Sequence, residues 1–278
     1  MTPLTFTLTV FGISVGAGVL GSLLGLGGGI IVVPALTLLL HVDIRFAIGA
    51  SIVSVIATSS GAAAAYVREG MTNLRVAMFL ELGTTAGALS GAYLAGVIPV
   101  RSLYLIFGIV MGYSALAMFR RRHAELAAVV PGDALADRLR LHSSYTDEAI
   151  GQEVDYRVTG SKLGLGLMYV AGVVSGLLGI GSGALKVPAM DLAMRLPIKV
   201  STATSNFMIG VTAAASAGVY FARGHVDPFV AGPVAMGVLV GALGGSRLLG
   251  RLQSSLIRAV FVVVLLWVSL EMLLKGLR

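Results

Sequence analysis

The residue whose chemistry most needs explaining is Lys186, set in the otherwise apolar run Gly179-Ile180-Gly181-Ser182-Gly183-Ala184-Leu185-Lys186-Val187-Pro188. An ammonium at the centre of an apolar helix is unfavourable by about 2.5–3.5 kcal/mol on translocon scales, so it must face protein or water and find an anionic partner. The glycines before it allow close backbone approach to a ligand. A helix beginning near Ala184 aims its first amides, and the positive end of its dipole, at the glycine break. Gly181, Ser182, Gly183 and Lys186 together therefore have the chemistry of an anion site. The alternatives for Lys186 are snorkelling to an interface or pairing with Asp191, which is five residues on and not on the same helical face.

A second copy of the cluster precedes it. Gly25-Leu26-Gly27-Gly28-Gly29-Ile30-Ile31-Val32-Val33-Pro34 has the same spacing, with Gly27, Gly28 and Gly29 as candidate ligand contacts. Val32 stands where the later copy has Lys186, and Gly28 where it has Ser182, so the copies are not chemically equivalent. Ser51, Ser205 and Asn206 offer a further hydroxyl or amide donor each for an oxyanion. Neighbouring Thr58, Thr204 and Thr212 are left to the commoner fate of hydroxyls in membrane helices, bonding their own i−4 carbonyls. Glu81, about 9 Å along its helix from Arg75, is either a proton-coupling carboxylate or an interfacial partner. Glu271 and Lys275 have the spacing of an i,i+4 pair near a helix end.

The elements that position these groups follow from composition. Of 278 residues, 56% are hydrophobic and 12% charged, with a mean hydropathy of +0.93, whereas soluble domains carry about 25% charged residues. Apolar runs long enough for a bilayer core cover Ala47–Val67, Val76–Val97, Leu103–Phe119, Val200–Phe221, Phe229–Leu249 and Ala259–Leu274. Hydrocarbon cannot satisfy open backbone groups and the runs do not alternate, so the fold class is an all-α polytopic membrane protein. Met1–Leu24 lacks a basic leading region and reads as a retained helix. A net charge of +7 fits Lys and Arg in cytoplasmic loops better than nucleic-acid binding. The absence of cysteine excludes disulfides, iron–sulfur clusters and thiolate metal sites. His41, His123, His142 and His225 are isolated, so no metal, cofactor or enzyme chemistry is expected. Gly25–Gly29 is not a dinucleotide loop, because no strand precedes it and Ile30 replaces the final Gly or Ala.

The chain also repeats itself. Gly18 recurs as Gly172, an offset of 154 residues, and the same offset pairs Pro34 with Pro188, Ser51 with Ser205, Thr58 with Thr212, Tyr66 with Tyr220, and Gly83, Gly87, Gly91 with Gly237, Gly241, Gly245. Residues 1–119 form a first transmembrane repeat, 120–161 a cytoplasmic linker with a turn at Pro131-Gly132 and a hairpin near Val154–Val158, and 162–278 a second repeat. Each half opens with an apolar stretch broken by glycines and a proline. Matching breaks in two halves are a sequence pointer to a transporter's binding site. If each broken stretch turns back, the halves are inverted, and Arg120–Arg122, Arg195, Lys199, Arg247, Arg251 and Arg258 share the cytoplasmic side; if it passes through, the halves are parallel and Arg223, Lys275 and Arg278 join Arg120–Arg122 there instead, and the charges favour the inverted reading. Eight to ten membrane segments are expected, with both glycine clusters together at the centre.

The doubled glycine–proline motif and the Thr204-Ser205-Asn206 segment resemble the TauE/SafE family of membrane permeases, over essentially the whole chain outside the linker. The resemblance implies secondary transport, as export, of sulfite or small organosulfonates such as sulfoacetate across the bacterial inner membrane. The implied partners are a small anion, the bilayer and, through Glu81, protons. An anion channel and an importer of other small organic anions remain alternatives.

Overall fold

The computed structural model describes residues 2–24, 27–68, 70–120, 133–147, 152–249 and 254–277. Gly25, Arg121, Arg122, the Pro131-Gly132 turn and Arg251 lie outside the described residues. The rest is helical nearly throughout: α1 (Pro3–Leu24), α2 (Gly29–Pro34), α3 (Ile44–Arg68), α4 (Leu74–Val97), α5 (Val100–Arg120), α6 (Ala134–Arg138), α7 (Ser161–Leu178), α8 (Gly183–Pro188), α9 (Ile198–Ala222), α10 (Pro228–Leu249) and α11 (Ser254–Leu277). The six long apolar runs fall within α3, α4, α5, α9, α10 and α11.

The breaks have local causes. Gly27, Gly179 and Gly181 adopt φ of +70°, +67° and +73°, a left-handed backbone that ends a helix and that glycine alone takes without strain. Pro34 and Pro188 close α2 and α8, and each lacks the amide and crowds the carbonyl four residues back. The ladder widens there into π-helical turns, Ala35–Leu39 and Ala189–Ala193. These bounds, like the starts of α3 and α9, α4 and α10, and α5 and α11, differ by the same 154 residues as the sequence motifs.

The principal packing partners are α1 with α10, α4 with α7, α5 with α11, and α3 with α9 and α10, while α9 also lies on α4. Glycines make the closest approaches. Gly83, Gly87 and Gly91 meet the backbone of Leu165, Tyr169 and Val173 in turn, so α4 and α7 advance in the same direction. Gly237 and Gly241 meet Phe11 and Val15, so α10 and α1 do likewise. Gly210 lies against Ser59 and Gly49 against His225, which makes α3 and α9 antiparallel, and Gly108 and Gly276 meet Ser269 and Arg101, which does the same for α5 and α11. Small residues at such crossings let helices approach where lipid supplies no hydrophobic drive. Gly87→Leu, whose Cβ would run into the Tyr169 carbonyl, should separate α4 from α7 and abolish the monodisperse detergent-solubilised protein. Gly16→Leu, with nothing near its Cβ, should leave the elution profile unchanged.

Large apolar side chains project outward, among them Leu82, Val97, Phe221, Phe229 and Val263, as a lipid-facing surface requires. Pro3–Gly21 and Ser161–Leu178 are long and apolar enough to cross a bilayer, and four shorter apolar stretches join them.

The linker contains the expected hairpin, β1 (Ser143–Asp147) paired antiparallel with β2 (Gln152–Tyr156), and also α6, which sequence reading did not anticipate. Asp133 caps α6, accepting from Ala136 N at 2.6 Å, and also accepts from Ser161 N at 2.6 Å at the start of α7. Burial alone would raise the Asp133 carboxyl, but these hydrogen bonds outweigh it and hold it below the usual carboxylate range. Leu141, Tyr156 and Val158 pack with Val76, Leu80, Met168 and Met208 of α4, α7 and α9. Asn73 ties them together: its Nδ2 donates to Leu141 O and Tyr156 Oη, and its backbone N to Thr204 Oγ1.

Candidate functional site

The two glycine breaks meet in the interior. Gly27 and Gly181 both face Val55 of α3 and Ile209 of α9, and a Cβ on Gly181 would lie 2.8 Å from Ile209 Cγ2. Gly29 is tighter still, since its Cβ would lie 2.5 Å from Ser51 Oγ and 2.8 Å from the Gly179 carbonyl oxygen. Ser51 Oγ donates to that carbonyl at 2.7 Å and so joins the first half to the break of the second. Its one proton is engaged there, which leaves Ser51 no donor for an anion in this arrangement.

Lys186 does not snorkel. Its side chain is 0% exposed, and its Nζ donates to Thr212 Oγ1 at 2.6 Å. The Thr212 hydroxyl in turn lies 2.8 Å from Glu81 Oε1 and 2.8 Å from the Met208 carbonyl oxygen. Thr85 Oγ1 adds a bond to the same Glu81 oxygen at 3.1 Å. Lys186 on α8 and Glu81 on α4 thus share one hydroxyl on α9. Both ionisable groups stand out in the sequence, but nothing there joins them, and Thr212 reads only as a back-bonding hydroxyl. One signal was present: the positions matching Lys186 and Glu81 at the 154-residue offset are Val32 and Ala235, so both charges are absent together, while Thr58 keeps the hydroxyl.

Of the other predicted residues, Ser182 is in the second break itself, and Ser205 and Asn206 lie on α9, which packs on α8. Ser182 caps α8 in a left-handed conformation, φ +51°, which is costly for a residue with a Cβ. Gly28, its counterpart, sits at φ −60°. The α8 ladder begins with Leu185 N and Lys186 N donating to Ser182 O, each at 2.9 Å, so the amides of Gly183 and Ala184 precede it. Ser182 Oγ, Ser205 Oγ, Asn206 Nδ2 and Glu81 Oε2 are all buried with no hydrogen-bond partner. Each such orphan costs about 1–3 kcal/mol, which a ligand or water that completes it would recover. The expected Glu271–Lys275 pair does not form: Lys275 Nζ donates to Thr37 O at 2.8 Å and lies over the Tyr104 ring, because the π-turn after Pro34 presents a free carbonyl to it. Among the described residues no three His, Asp or Glu side chains cluster as a metal site.

An interior junction of two broken helices with a buried ammonium and unfilled donors is the arrangement expected of a carrier. Residues 10–272 match the family described as Sulfite exporter TauE/SafE. The chain belongs to that family. Among its relatives, the probable membrane transporter protein YunE of Bacillus subtilis (strain 168) is 30% identical over 94% of this chain and 95% of its own length. A probable membrane transporter protein of Xylella fastidiosa (strain 9a5c) is 28% identical over 91% of this chain and 90% of its own. No solved structure matches the chain. As a TauE/SafE protein it is a membrane transporter, and the central polar junction is its candidate substrate site.

Proposed function

We propose that the chain is a secondary transporter that exports small anions, sulfite or organosulfonates, across the bacterial inner membrane as a multi-pass protein of two inverted repeats. The observation that carries the anion reading is Lys186, a wholly buried ammonium beside the glycine break whose counter-charge is reached only through Thr212. Ser182, Ser205 and Asn206 hold the buried hydroxyls and amide that an oxyanion would engage, with the backbone of Gly27–Gly29 and Gly181–Gly183 closing around it.

The inverted arrangement, with repeats in 1–119 and 162–278 joined by a cytoplasmic linker in 120–161, is supported by helix direction. Contacts make α10 parallel to α1, α3 antiparallel to α9, and α4 parallel to α7. Short loops make α3 antiparallel to α4 and α9 antiparallel to α10, so α1 and α7 run in opposite senses and each broken stretch turns back. Arg195 and Lys199 then share the linker's side, in keeping with a positive cytoplasmic face.

The test is flux of radiolabelled sulfite and sulfoacetate in proteoliposomes under imposed pH and potential gradients. Saturable flux with counterflow is expected. Conductive, non-saturating flux would make the protein a channel, and gradient-driven accumulation only toward the linker's side would make it an importer.

A further inference from the structure

Thr212 carries more than a link between two charges. A hydroxyl has one proton and two lone pairs, and this one has two acceptors for its proton, Glu81 Oε1 and Met208 O, at the same 2.8 Å. With Glu81 ionised, Thr212 donates to Glu81 while accepting from Lys186. With Glu81 protonated, the carboxyl can donate to Thr212, whose proton then turns to the Met208 carbonyl and whose second lone pair still accepts from Lys186. The hydroxyl is thus satisfied in both protonation states of Glu81. Only the second state frees Lys186 from its counter-charge.

We infer that Glu81 is an internal stand-in for the transported anion: the carboxylate, through Thr212, and the anion, directly, alternate as the counter-charge of Lys186, and each monovalent anion bound brings one proton onto Glu81. This rests on the anion reading of the Lys186 site and adds its coupling. Charge balance in a dry interior gives the reason. Lys186 with ionised Glu81 is neutral, and Lys186 with a bound anion and protonated Glu81 is neutral, whereas both anions on one ammonium leave a buried net charge. On α3, which packs on α9, Arg45 donates to Ile98 O, and on α5, which meets α8, Arg101 is exposed on the first turn. Among the described residues α7 carries only Lys162, exposed on its first turn. On α9 there is only Lys199, about 20 Å along the helix from Thr212, and the Arg223 that follows α9 donates to Ala92 O and Tyr93 O. Arg75 on α4 itself donates to Arg140 O, and Asp191, beyond Pro188, lies in the π-turn. The matching positions Val32 and Ala235 lack both charges together, as a device working only as a pair requires.

The experiment is calorimetric titration of the purified full-length protein with methanesulfonate, which stays ionised across the range, in buffers of differing ionisation enthalpy. Wild type should take up close to one proton per anion, with affinity rising by up to about tenfold for each unit the pH falls. Glu81→Gln should bind with no proton uptake and no pH slope. Thr212→Ser should keep the uptake and Thr212→Val should diminish the protons taken up per anion bound, a stoichiometry that loss of a merely structural back-bond would leave unchanged. Binding with no proton uptake, or with proton release, overturns the inference and leaves the anion site standing. Absence of methanesulfonate and sulfite binding by wild type overturns both.

Discussion

Lys186→Met lowers the affinity for sulfite and small sulfonates by about 10- to 100-fold, the equivalent of one charge-assisted hydrogen bond of roughly 1.5–3 kcal/mol. The loss is large because Lys186 is a wholly buried ammonium, and the remaining donors, Ser182, Ser205 and Asn206, are neutral. Lys186→Arg should recover only part of the affinity. Its planar fork is longer and cannot place a single point charge where Nζ meets Thr212 at 2.6 Å. Equilibrium binding to purified protein that elutes as wild type decides the matter. Unchanged affinity in Lys186→Met would remove Lys186 from the site and return it to a purely structural role.

How far the site could be read in advance depended on sequence distance. Lys186 and the glycine breaks are local features, and local rules sufficed: an ammonium in an apolar run and glycine with proline inside a helix each have few explanations. Glu81 was visible for the same reason. What joins them was not, because it depends on α4 meeting α9 across 131 residues of chain. Thr212 moreover has the i−4 carbonyl contact that the ordinary expectation assigns it, alongside the one that matters here. Ser51 was visible as a buried hydroxyl, yet its use depends on Gly179, another long-range contact. The linker illustrates the same division. Alternation at Val154–Val158 disclosed the hairpin, but the anchoring of Tyr156 by Asn73 needed the fold.

The second large effect is on stability, and it separates what the charges do for the fold from what they do for the ligand. Removing one member of a buried pair leaves the other uncompensated, which costs about 3–5 kcal/mol unless that group changes protonation. Lys186→Met and Glu81→Gln should therefore each destabilise the protein. Lys186→Met with Glu81→Gln removes both charges while keeping volume and the Thr212 hydroxyl, and should recover stability to within about 1 kcal/mol of wild type, since apolar replacements of buried pairs are often neutral. The other half makes this concrete: Val32 and Ala235 occupy the matching positions without any charge, Val32 is buried, and the helices α2, α3 and α10 form all the same. Chemical unfolding of the three variants in detergent micelles gives the interaction energy directly. If the double variant is destabilised by the sum of the singles, Lys186 and Glu81 act independently and the Thr212 bridge couples nothing. If it is restored in stability yet still fails to bind methanesulfonate, the pair is dispensable to the fold and is kept for the ligand.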